Sequence, residues 1–152
     1  MFIGQNIGAG QIERARRALF GALKFSLLFQ LGVYLPLALF ATEIGALFSA
    51  NPEVIRTIGI YLWIVPASYG AHALVILILV SLNALKRPRT ALLTAALRLL
   101  ACNLPLAWLG GHWWGLTGLL AGFTGGNLIA GALAYRIVLR VWREEFPPAT
   151  AA

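Results

Sequence analysis

The chain has 152 residues, of which 60% are apolar and only 11% charged, and its mean hydropathy is +0.81. A soluble domain carries about 25% charged residues, so the composition excludes an ordinary soluble domain. The net charge of +7 does not indicate nucleic acid either, because the twelve basic residues stand in short clusters with no aromatic residues interleaved as a stacking platform. These features predict an all-α integral membrane protein.

Residues 1–24 read as the end of a helix followed by a basic turn. GQNIGAG, from Gly4 to Gly10, runs into QIERARRA. It lacks the Gly-Lys-Ser/Thr of a phosphate loop and the Gly-x-Gly-x-x-Gly of a dinucleotide loop. Glycine commonly closes helices, so a helix terminus is expected, with Arg14, Arg16, Arg17 and Lys24 marking a membrane face.

Four apolar stretches follow within residues 25–143, at about 25–42, 57–85, 90–111 and 112–135. A helix needs roughly 20 apolar residues to cross a core about 30 Å thick. The first stretch meets that length narrowly. The second, about 44 Å as a helix, must tilt or protrude. Residues 144–152 form a tail. The count of basic residues before, between and after these stretches is four, one, three, none and three. By the positive-inside rule both ends of the chain are cytoplasmic. Trp108, Trp113 and Trp114 then fall at an outer turn, where an aromatic belt belongs.

Polar residues within the spans are the candidate functional groups. His72 lies 16 residues from Arg56 and 14 from Lys86, near the bilayer midplane. On a continuous helix Tyr61, Ser68, His72 and Asn83 share one side, with Trp63 opposite. That stripe is expected to face substrate in a watery cleft or to hydrogen-bond neighbouring helices. Arg98, nine residues beyond Arg89, is expected to snorkel toward the cytoplasmic headgroups, with a partner in the bundle as the other reading. Gly118, Gly122, Gly126, Ala130 and Ala134 recur every four residues and form a ridge suited to close helix packing. Pro36, Pro66 and Pro105 interrupt three spans and free carbonyls near Gly32, Leu62 and Ala101. No carboxylate pair, nucleophile with a base or metal-ligand cluster is evident, and Cys102 has no second cysteine, so enzyme activity is not expected.

GQNIGAGQIERARRAL, FSANPEVIRTIGIYLWIVPASY and SLNALKRPRTALLTAALRLLACNLPLAWLGG together resemble the multidrug and toxic compound extrusion (MATE) transporters. The likeness is to the last third of such a protein, the end of helix eight and then helices nine to twelve. It implies four transmembrane helices from the carboxy-terminal lobe of a twelve-helix fold, with Met1 a fragment start or a misplaced initiation site. It further implies a bacterial inner-membrane antiporter that exports cationic or amphipathic drugs. No cofactor is implied beyond Na+ or H+ as coupling ion in the full transporter. The expected partners are the lipid bilayer, drug substrates, and a missing amino-terminal lobe or a second copy of the chain. The alternatives are a lipid-linked-sugar flippase of the same fold superfamily and a small assembly protein that binds through the glycine ridge. No acidic residue lies mid-span, so ion coupling would come from the missing part or from His72.

Overall fold

The computed structural model describes residues 2–146. Among the described residues all regular structure is helical, and the proposed tail lies largely outside them. GQNIGAG belongs to a short helix, α1 (Phe2–Gly8). Gly10 takes φ +72° and donates its N–H to Ile7 O at 3.0 Å, while Gln11 N–H reaches Asn6 O at 2.8 Å. This is a Schellman closure, and glycine adopts its left-handed residue without a Cβ penalty.

The first long helix, α2 (Ile12–Leu39), begins earlier than the apolar run and carries the basic residues on its opening turns. Charge ends an apolar stretch but not a helix, because Arg, Lys, Glu, Ala and Leu all favour helix. Ala15, Leu19 and Leu23, four residues apart, form its buried face. The helix stops at Leu39, short of Thr42, and the segment that follows forms a helix of its own, α3 (Ala41–Phe48). The next helix, α4 (Pro52–Ile64), starts with Pro52 in its first turn, and Asn51 Oδ1 accepts from Glu53 N–H at 2.9 Å. Together these make a strong helix start.

A 3-10 turn at Pro66–Ser68 joins α4 to α5 (Tyr69–Ala84). The two helices together form the second crossing, Pro52–Ala84. Its end repeats the closure seen at Gly10, with Arg87 N–H on Leu82 O at 2.9 Å and Lys86 N–H on Asn83 O at 3.1 Å. Here the left-handed residue is Lys86, at φ +58°.

Pro88–Glu145 runs through helical segments over 58 residues, interrupted at Trp114 and Gly115. A straight helix of that length would be about 87 Å long, far more than a bilayer requires. It comprises α6 (Pro88–Ala96), a π-helical segment (Leu97–Asn103) and α7 (Leu104–Glu145). The chain doubles back at Trp114 and Gly115, where Gly115 takes φ +59°. The turn therefore lies three residues beyond the boundary expected at Gly111 and His112, at a glycine that can adopt a positive φ.

The two arms of α7 meet backbone to backbone. A Cβ on Gly118 would collide with Gly110 O, one on Gly122 with Leu106 O, and one on Gly126 would stand 2.7 Å from Asn103 Oδ1. Small side chains permit this approach. Lower down, Ala130, Ala134 and Val138 join Val75, Ile78 and Leu82 of α5 in the buried core. Arg87 ties the ends of α5 and α7 together, with Nη2 at 2.6 Å and Nε at 2.7 Å from Glu145 Oε1. Large apolar residues such as Phe25, Phe29, Leu92 and Trp108 stand exposed around the outside, as a bilayer requires. This is a membrane protein with four crossings, the last two being the helical arms that meet at Trp114 and Gly115.

Candidate solute-binding site

The site arises where two helices break beside α7. Pro66 has no N–H to continue the α-helical ladder, and side chains take up the carbonyls around the break. Tyr34 donates to Trp63 O at 3.1 Å, Thr124 to Ile64 O at 3.1 Å, and Ser68 to Val65 O at 3.0 Å. The carbonyls bonded this way thus follow Leu62, the one expected from the sequence. The second break precedes Pro105. There the π-helical segment bonds Leu104 N–H back to Leu99 O, a widened turn of a kind found often at functional sites. That segment carries Arg98 and Asn103 toward the first break.

A buried polar chain links the breaks. Asn103 Nδ2 donates to Asn127 Oδ1 at 3.1 Å, and Asn127 Nδ2 donates to Ser68 Oγ at 3.2 Å. Ser68, Asn103 and Asn127 are all buried. Asn103 Oδ1 has no hydrogen-bond partner among the described residues and lies against Gly126. Nearby, Arg98 Nη2 is 2.6 Å from His72 Nδ1. A guanidinium offers only donors, so Nδ1 accepts and His72 is neutral, with its proton on Nε2. Arg98 is therefore paired inside the bundle, and the snorkelling expectation gives way to the partner reading.

His72 and Asn127 also line a cavity of about 290 Å3, together with Tyr61, Val65, Tyr69, Leu120 and Phe123. The Tyr61 and Tyr69 hydroxyls bond one another at 2.9 Å. Of the four stripe residues, Tyr61 and His72 meet at this cavity. Ser68 lies buried behind it on Asn127. Asn83 bonds its own helix at Leu79 O and lines a separate hollow with Pro88. The stripe assumes an unbroken helix, and the 3-10 turn shifts that phase at Ser68. Tyr69, Phe123, Asn103 and Asn127 were not selected from the sequence. The available signals were an amide two residues before Pro105 and another alone in the last apolar span. Among the described residues the acidic side chains lie near helix ends, at Glu13, Glu43, Glu53, Glu144 and Glu145, so the charge beside the cavity is that of Arg98.

Broken helices with polar side chains at mid-depth are how secondary transporters build a site. The MatE family model matches residues 1–109. The chain belongs to the MATE family. It is 41% identical over 140 residues to a FAD transporter of Shewanella oneidensis, covering 92% of this chain and 31% of that protein. The crystal structure of the Vibrio cholerae MATE transporter VcmN in its bent form superimposes with TM-score 0.85 at 39% identity, over 95% of this chain and 34% of that one. A point mutant of VcmN gives TM-score 0.90 at 38% identity, over 94% and 33%. This MATE chain thus spans about a third of the length of the relatives it matches.

Proposed function

We propose that the chain supplies the carboxy-terminal helices of a bacterial inner-membrane exporter, with both ends cytoplasmic, and that the exported solute is an aromatic anion of the flavin nucleotide class. The observation that carries the solute class is Arg98, a cation held on neutral His72 beside an aromatic-lined cavity, with the carboxylates of the described residues confined to the neighbourhood of helix ends. A half-buried cation in a span without a counter-ion favours an anionic ligand. The name of the Shewanella relative points the same way. Cationic drugs are the second reading, supported by Tyr61, Tyr69 and Phe123 at the cavity wall, since aromatic faces attract cations. Export is driven by Na+ or H+ in either case, with association to an amino-terminal lobe. The assembly-protein alternative loses support because Gly118, Gly122 and Gly126 are already covered by the opposite arm of α7.

The test uses inside-out vesicles containing the complete transporter, measuring uptake of FAD and of ethidium under an imposed ion gradient. FAD is expected to accumulate, and Arg98→Gln is expected to reduce its uptake about tenfold or more, the scale of one lost charged hydrogen bond. Accumulation of ethidium alone, unaffected by Arg98→Gln, would overturn the anionic reading.

A further inference from the structure

A second hollow, of about 470 Å3, lies between α2 and α7 and shares no lining residue with the solute cavity. Its floor is the contact of Gly131 with α5, so close that a Cβ at 131 would stand 2.9 Å from Ala71 Cβ. Leu23 and Leu27 form one wall, and Leu128 and Ala132 the other. Leu27 and Leu128 are exposed, so the hollow is open on that side. Phe20 and Tyr135 meet edge to face at its cytoplasmic end, with ring centroids 6.2 Å apart.

Lys24 is the one charged residue among those lining the hollow. It sits seven residues beyond Arg17, about 10 Å along the helix, and is exposed. It makes no hydrogen bond or ion pair among the described residues, where Glu13 pairs with Arg16 and Glu145 with Arg87. An ammonium at that depth must reach a phosphate or carry an uncompensated charge into hydrocarbon. Arg14 and Arg17 on α2, with Arg136 and Arg140 on α7, stand at the cytoplasmic ends of the two walls and add positive potential. Basic pockets between helices on the cytoplasmic side bind anionic headgroups.

We propose that this hollow is a binding site for one anionic phospholipid. Its acyl chain lies along Leu23, Leu27, Leu128 and Ala132, and its phosphate rests on Lys24 Nζ. The hollow is apolar where the chain runs and positive where the headgroup ends.

The experiment is native mass spectrometry of the purified protein in detergent with added phosphatidylglycerol or phosphatidylcholine, counting retained lipids. Wild type is expected to retain phosphatidylglycerol in preference. Lys24→Gln should lower that retention about fivefold, the scale of one membrane-surface cation, while Lys24→Arg preserves it. Ala132→Trp fills the hollow and should abolish retention of both lipids. Lys86→Gln, a cation at the same membrane face but away from the hollow, should change nothing. Equal retention of the two lipids, or an equal loss in Lys86→Gln, would overturn the proposal. If Lys24→Gln fails to fold, undiminished retention by Ala132→Trp overturns it alone.

Discussion

Asn127 and Asn103 occupy one buried chain, yet their removal should have opposite consequences. Asn127→Leu deletes two interhelical hydrogen bonds, from Asn103 and to Ser68. Such bonds average about 0.6 kcal/mol each between membrane helices. Ser68 keeps Val65 O as a partner, but Asn103, whose Oδ1 is already unpartnered, would then bury its whole amide unpaired, at about 1–3 kcal/mol. The single variant should lose about 2–4 kcal/mol on that reckoning. Adding Asn103→Leu removes the stranded amide at nearly constant shape, so the double variant should recover about 1–3 kcal/mol. The assay is reversible unfolding of the purified protein by SDS titration, followed by far-ultraviolet circular dichroism across the four-member cycle. A double variant less stable than Asn127→Leu alone would refute the idea that the unpaired amide, rather than packing, dominates.

Four shorter predictions go with it. Gly118→Ala should destabilise by about 3 kcal/mol because the new methyl meets Gly110 O, whereas Gly125→Ala, with nothing within 4 Å, should be neutral or stabilising; equal losses in thermal unfolding would refute the contact. Lys86→Gly should raise stability by about 1 kcal/mol by relieving the positive φ, measured in the same unfolding assay, and a loss would show that Lys86 makes a compensating contact. In a Cys102→Ser background of the complete transporter, cysteines at Tyr61 and His72 should react with a water-soluble thiol reagent, while those at Ser68 and Trp63 stay protected; uniform labelling would remove the aqueous cavity. A reporter active only in the cytoplasm should work after Arg143 and fail between Glu43 and Glu53, the reverse pattern meaning an inverted chain.

Membrane helices were legible because their signal is the sum of many apolar side chains. GQNIGAG was legible because glycine at a helix end has few other uses. The exact turn between the last two arms was not, since Gly110, Gly111 and Gly115 all permit one, and only the backbone decides that Gly115 takes the positive φ. The site was half legible. His72 stood out by depth and type, but its companions depend on two local changes of helical pitch. Pro66 announces a break without stating whether the chain tightens or widens, and here it tightens through Ser68. Before Pro105 the chain widens instead, which turns Arg98 inward to His72. A reading at constant 100° per residue cannot register either change, so it keeps Ser68 on the cleft.

The interlocked arms of α7 also limit how the molecule can move. Sliding one arm past the other by a single residue, about 1.5 Å, would take Gly118 and Gly122 out of register with Gly110 and Leu106 and bring side chains against backbone. Shear between the last two crossings is therefore blocked, and they behave as one mechanical body. Compliance is left to the tightened turn at Pro66 and the widened one before Pro105, which Asn103, Asn127 and Ser68 yoke together. Bending at one break strains the yoke and loads the other, so the two joints flex as a pair.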